Sequence, residues 1–357
     1  MTVPNDCNQL GREVEIGQIE VELKRLWEAD EASTNASLIN FAVYSEDASA
    51  LSQNSDTVRE ITSEHACRAI LIGVDCEESE VSMRAWITAH CNLMNGNKSV
   101  CSEQIAFHLG GRASGRLSNT VFAHLNSDLP LVFWWQGELS ERFNDRLYSL
   151  IQRLVIDSSE WQDPVAQFEK IVPAMQEYNL VVQDLSWTRT YHARLAIAAL
   201  FDDPIALTAI PAIQKVRVVT SPEGRIAGLQ LLAWFAAQCD WRKASELIAS
   251  ESVADSFHFE HSHGGSVEAS VVTDSDSAAI GLIKIDAGDV QFTISRSKGN
   301  QVLHLNMEAQ GHVSEQSAPA DSEDVVGLVR DQLSRGGKNS LFRKIFPVFI
   351  DLINGTT

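Results

Sequence analysis

Along the first half of the chain the apolar positions switch repeatedly between helical and extended spacing. Ile19, Val21, Leu23, Leu26 and Trp27 predict a helix from about Ile19 to Ala29, and Ser37 to Tyr44 (SLINFAVY) reads as a buried strand. Asp56 to Ala66 predicts a helix capped by Asp56 or Thr57. Arg68 to Val74 (RAILIGV) predicts a strand whose near-continuous apolar run suits a sheet covered on both faces. Val81 to Cys91 and Cys101 to Leu109 alternate more loosely, as antiparallel strands with one wetter face, and Asn92 to Lys98 is their turn. There follow a helix from Gly115 to about Leu125, a strand from Pro130 to Trp135, a helix from Ser140 to Arg153, a short strand at Leu154 to Ile156 and a helix from Pro164 to Tyr178. This alternation predicts an α/β domain with a mixed, mainly parallel sheet sandwiched by helices.

The style changes after Tyr178. Ser186 to Phe201 and Arg225 to Asp240 predict apolar helices, separated by a strand at Val216 to Thr220 and the Ser221-Pro222-Glu223-Gly224 turn. Ser256 to Gln310 reads as strand, turn, strand, an antiparallel meander broken at Gly264-Gly265, Ala287 to Asp289 and Lys298 to Asn300. Ser314 to Ser322 is a predicted loop, and helices at Glu323 to Leu333 and Ser340 to Ile353 close the chain. The expectation is two domains: residues 1–178 as the N-terminal α/β domain and 179–357 as a C-terminal α+β domain with an antiparallel meander and terminal helices. A length of 357 residues agrees with two domains of ordinary size.

Composition adds one unusual number. Lys and Arg total 28 against 48 Asp and Glu, a net charge of −20, which opposes general binding to nucleic acid or to anionic membranes. Apolar runs such as Leu129 to Trp135 fall far short of the roughly 20 residues a membrane helix needs. The N-terminal segment has no basic stretch followed by an apolar one, so the expected location is the cytoplasm. Six cysteines show no C-x-x-C pair and no metal-finger spacing, which in a reducing compartment predicts buried thiols. Cys67, Cys76, Cys91 and Cys101 cluster closely enough to be kept as redox candidates.

No G-x-G-x-x-G, Walker loop, H-E-x-x-H or G-x-S-x-G is present, so no cofactor and no catalytic residue is expected. Gly336-Gly337-Lys338 resembles the end of a phosphate loop but lacks the hydroxyl that should follow, and reads as a turn between helices. The Gly110 to Gly115 loop before a helix is the best phosphate candidate, with Gly110 and Gly111 offering free amides and Arg112 and Arg116 offering charge. It supports an alternative function, a sugar-phosphate or nucleotide sensor or enzyme. His261 and His263 would share one strand face and could hold a metal, but two imidazoles beside a Gly-Gly turn are more often a solvated hairpin tip, and no metal is expected. His65 beside Cys67 invites a base-and-nucleophile reading, against which stands inert packing at a helix end and a strand start. Trp134 and Trp135 end a strand where α/β sheets form ligand crevices, and Trp187, Arg189 and Arg194 follow a helix cap at Asp184 or Ser186.

Four stretches resemble the OpcA family of glucose-6-phosphate dehydrogenase assembly or allosteric effector proteins. They are Glu64-His65-Ala66-Cys67-Arg68 before an apolar strand, Leu129 to Gly137 with its paired tryptophans, Asp184 to Arg189 with Arg194 following, and the Leu231 to Ala237 helix. The order and spacing fit over most of the chain. Gln136 stands where the family commonly has proline, and Ala193 where it commonly has tryptophan. The resemblance implies a non-catalytic protein that binds and activates glucose-6-phosphate dehydrogenase in the oxidative pentose phosphate pathway, with a redox response through cysteines in some relatives. Trp134, Trp135, Trp187, Arg189 and Arg194 are then the expected partner contacts, because aromatic and arginine side chains dominate interface energetics.

Overall fold

Strand β3 (Asn40–Ser45), six buried residues in succession, is the axis of the first sheet. In the computed structural model, which describes residues 9–28, 34–35, 37–94, 97–244, 254–262, 264–335, 337 and 339–355, β3 pairs in parallel with β4 (Arg68–Asp75) on one side and with β7 (Leu131–Trp135) on the other. Beyond β4 lies β6 (Asn97–Gly110), and beyond β7 lie β8 (Arg153–Ile156) and β9 (Val181–Asp184). The chain therefore builds outward in one direction from β3, returns, and builds outward in the other. This reversal puts the topological switch point at the carboxyl ends of β3 and β7, the position where open α/β sheets commonly take ligands. Antiparallel β5 (Ser82–Met94) and β1 (Arg12–Val14) extend the far edge, and the short β2 (Thr34–Asn35) also pairs with β6. The expected mixed, mainly parallel sheet is the one observed.

The chain forms two compact units, the first comprising Met1–Ile156, Glu169–Gln183 and Val329–Gly336 and the second Asp157–Phe168, Asp184–Leu328 and Gly337–Thr357. In the second, β10 (Lys215–Thr220) lies between β13 (Ser266–Thr273) and β14 (Leu282–Ala287), parallel to the former and antiparallel to the latter. The predicted meander is therefore split. On one side stand β13, β12 (Ala254–His261) and β11 (Trp241–Lys243); on the other run β14, β15 (Val290–Ser295), β16 (Val302–Ala309) and β17 (His312–Pro319). β17 occupies most of the predicted loop. Its residues are largely exposed and polar, so hydrophobic periodicity gave no sign of it, yet it pairs with β16 from Val302↔Pro319 to Ala309↔His312.

Helix α8 (Arg225–Gln238) is buried continuously from Ile226 to Ala236 and packs on this sheet. Gly228 permits the approach: a Cβ there would stand 2.9 Å from methyls of both Thr220 and Val271. Phe168 of α4 (Pro164–Glu177) meets Phe346 and Phe349 of α10 (Ser340–Asn354) edge to face at 5.8 and 5.0 Å. Among the described residues no single helix is long and apolar enough to cross a membrane.

Three helices depart from expectation. Residues predicted to form a helix from Asp56 belong to α2 (Leu51–Ile61), because Asp47 rather than Asp56 does the capping, accepting from the Ser49 amide before a 3₁₀ turn that runs into the helix. The stretch after Gly111 forms 3₁₀ and π turns to His124, in keeping with its Gly, Ser and Asn content. The helix expected at Ser140 to Arg153 shrinks to α3 (Asp145–Tyr148), capped by Asn144. In the hairpin, β5 and β6 run through most of the expected turn, leaving residues 95 and 96 outside those described. Lys338 and His263 also lie outside, and with them the full glycine-lysine turn and the paired-histidine reading.

Candidate functional site

At the carboxyl ends of β3 and β7 the polar side chains bond to one another. Tyr44 donates its hydroxyl to Glu46 at 2.9 Å, and Glu46 also accepts from the Ser140 hydroxyl and from Arg142 Nη1 at 3.2 Å. Burial above all, and then Glu46, pushes the Tyr44 phenol well above its ordinary range, which keeps it a donor. Asn54 of α2 and Gln136 exchange two amide hydrogen bonds of 2.8 and 2.9 Å. Gln136 also donates its backbone amide to the Tyr44 carbonyl at 2.9 Å. The first strand-to-helix turn, Ser45 to Ala50, contains no glycine, and Asp47 has already taken the Ser49 amide. A pyrophosphate would meet two carboxylates here in place of the free amides that a dinucleotide turn presents.

Trp134 and Trp135 belong to the core beneath these strand ends. Trp135 is fully buried, its ring tilted against that of Tyr44 with centroids 4.3 Å apart, meets Phe143 edge to face at 5.9 Å and donates Nε1 to the Glu138 carbonyl at 3.0 Å. Trp134 is 4% exposed and lies parallel to Phe41 at 6.5 Å. Both expected partner contacts are buried in the chain on its own.

In the second unit the Asp184 to Arg194 stretch forms a buried polar network. Asp184 ends β9 and caps α5 (Leu185–Thr188) through the Ser186 amide at 3.0 Å. It also accepts from the Ser158 amide and hydroxyl at 3.2 and 2.6 Å, and from Gln230 Nε2 at 2.6 Å. Arg189 forks onto Asp157 with hydrogen bonds of 2.8 and 2.7 Å, both side chains being at least nine-tenths buried. Arg194, on α6 (Tyr191–Leu200), sits 3.4 Å above the Trp187 ring and donates Nε to the Thr190 hydroxyl at 3.0 Å. Trp187 in turn meets Phe342 at 5.8 Å. Trp187, Arg189 and Arg194, the expected partner contacts, are thus largely buried here, the two arginines bonding to groups inside the unit, and the predicted helix is interrupted at Arg189-Thr190.

Burial raises the Asp184 carboxyl to about 6, against the hydrogen bonds from Ser158 and Gln230 that favour its charge. Asp157 is also buried, but the paired Arg189 bonds overcome that and hold it below the ordinary range. Because Asp184 is protonated more readily folded than unfolded, it favours the native state at low pH and loses that contribution as pH rises through about 6. The stability of the wild type minus that of Asp184→Asn should therefore fall by about 2 kcal/mol between pH 4 and 7, read by chemical denaturation at each pH.

Both family-model comparisons fall on this architecture. Residues 58–172 match the glucose-6-phosphate dehydrogenase subunit N-terminal domain, and residues 180–346 match its C-terminal domain. The chain belongs to the OpcA family. Among curated OpcA relatives, the Synechocystis sp. OxPP cycle protein is 19% identical over 82% of this chain and 65% of its own length. That of Synechococcus elongatus is 20% identical over 81% of this chain and 68% of its own length. The chain thus spans about two thirds of the length of each. Among solved structures, a 3-ketoreductase from Actinomadura kijaniata with TDP-benzene and NADP superposes with a TM-score of 0.51 at 10% identity, covering 88% of this chain and 96% of its own. Its open conformation gives a TM-score of 0.51 at 9% identity, with the same coverage. This likeness is one of fold.

The other OpcA-like stretches are structural too. Cys67 is fully buried and its thiol is pushed up to about 12, by burial first and by Glu103 next, so it is not a reactive thiolate. His65 lies 3.0 Å from the Ser334 hydroxyl instead of activating Cys67. Cys91 and Cys101, opposite each other on β5 and β6, form a disulfide, while Cys76 is a free, exposed thiol. At the phosphate candidates Gly110, Gly111, Arg112 and Arg116, a carboxylate already lies against the glycines. A Cβ at Gly110 would collide with the Glu78 carboxylate, and Gly111, at φ +56°, is pressed against the Glu78 and Glu80 carbonyls. Arg112 and Arg116 are exposed.

Proposed function

We propose that this chain is a non-catalytic cytoplasmic partner of glucose-6-phosphate dehydrogenase, which it binds and activates in the oxidative pentose phosphate pathway. The match of both halves to glucose-6-phosphate dehydrogenase subunit domains carries the reading. The same matches, ending at 172 and starting at 180, support a working division into 1–178 and 179–357. The non-catalytic part is supported by the carboxyl ends of β3 and β7: a fold shared with NADP-dependent oxidoreductases presents Glu46 and Asp47 where phosphates would need amides. Activation requires tighter binding to the active state of the dehydrogenase than to the inactive one, since only differential affinity shifts an equilibrium. The Cys91–Cys101 disulfide supports a redox response as a finer part of the proposal.

Light scattering on a size-exclusion column tests association. The chain and the dehydrogenase should co-elute at a mass above either alone, and separate elution at micromolar concentrations would contradict the reading. In a parallel titration NADP and NAD should produce no saturable change in tryptophan fluorescence. Saturation by either would reopen an enzymatic role.

A further inference from the structure

At the carboxyl ends of β4 and β6 three side chains from separate segments converge. Asp75 ends β4, Glu78 lies in the turn that follows, and His108 is two residues from the end of β6, opposite Gly73 of β4 and Arg84 of β5. One ligand-competent atom from each lies within 4.8 Å of the other two. All three side chains are partly buried, and His108 Nδ1 is a buried nitrogen with no hydrogen-bond partner. The remaining contacts hold the carboxylates in place. Asp75 Oδ1 accepts from the Glu77 and Glu78 amides at 3.0 Å each, and Glu78 Oε2 accepts from the Ser82 hydroxyl at 2.7 Å. The bare Cα of Gly110 leaves room for the Glu78 carboxylate, where any side chain would expel it.

We propose that Asp75, Glu78 and His108 form a divalent transition-metal site. Ligand atoms around one ion at about 2.1 Å stand roughly 3 to 4.2 Å apart, so the triad needs only a small contraction to close. One imidazole with two carboxylates suits Mn²⁺, Fe²⁺, Co²⁺ or Zn²⁺. An all-oxygen set would favour Mg²⁺ or Ca²⁺, and thiolates would favour softer ions. Two carboxylates and a neutral imidazole balance the ion's charge. The nearby cation, Arg84, is held by Glu13 through bonds of 2.9 and 2.8 Å. Three protein ligands leave coordination positions for water or for an anionic ligand. The acidic Asp75 to Glu80 segment, which as sequence reads as a solvated face, gains a specific task.

Electron paramagnetic resonance of the chelator-treated full chain, titrated with Mn²⁺, tests this directly. One Mn²⁺ per chain should be removed from the free-ion signal. Glu78→Gln, at a partly exposed position, and His108→Gln should each weaken binding tenfold or more, with circular dichroism unchanged at least for Glu78→Gln. Cys76→Ser should bind as the wild type does. Absence of a saturable site, binding that survives both ligand substitutions, or loss of binding in Cys76→Ser would each overturn the assignment.

Discussion

Arg189→Ala is expected to destabilise the free protein by about 3–5 kcal/mol, the loss typical when one partner of a buried ion pair is removed. The substitution would leave the Asp157 carboxylate, 4% exposed, without its two guanidinium bonds. Asp184 sits in the same network through Ser158, and Glu160, already raised by its burial and by Asp157, would lose a balancing cation. Urea denaturation of wild type and variant measures the loss. A surface arginine that served only to hold a partner would give a change within about 0.5 kcal/mol. Arg189→Lys should recover only part of the stability, because an ammonium cannot fork onto both oxygens.

The second large effect is expected for Trp135→Ala, at about 3–5 kcal/mol. The indole is fully buried against Tyr44, Phe133 and Phe143, and its removal would open a cavity beneath the carboxyl ends of β3 and β7 and remove the bond that Nε1 donates to the Glu138 carbonyl. Trp135→Phe should cost less, since most of the volume remains. The midpoint of thermal unfolding should fall accordingly. A variant that kept wild-type stability yet lost binding to the dehydrogenase would return Trp135 to the list of partner contacts.

Arg68 to Val74 and Leu131 to Trp135 were legible as buried parallel strands because their apolar runs are continuous and both faces are covered. β17 was not, since an exposed, polar strand has no alternation to read. β10 is readable as a strand, but its place between β13 and β14 depends on pairing across some fifty to seventy residues, which local pattern does not encode. The same limit applied to the sites. Trp187, Arg189 and Arg194 carry residue types typical of interfaces, and only the positions of Asp157 and Thr190 reveal that their partners are internal. The Gly110–Gly111 pair does mark a close approach, as its glycines suggested, but what approaches is the Glu78 carboxylate. Asp75, Glu78 and His108 are separated by up to 33 positions, and only the parallel pairing of β4 with β6 brings the histidine to the acids.

As proposed, the chain is a partner of glucose-6-phosphate dehydrogenase, with no turnover of its own. Steady-state kinetics of glucose-6-phosphate dehydrogenase, titrated with this protein and followed by NADPH formation, tests that claim most directly. The predicted result is a saturable rise in kcat/KM for glucose 6-phosphate, with no NADPH formed by this protein alone. Unchanged kinetics at saturating protein, in both its oxidised and its reduced state, would contradict it.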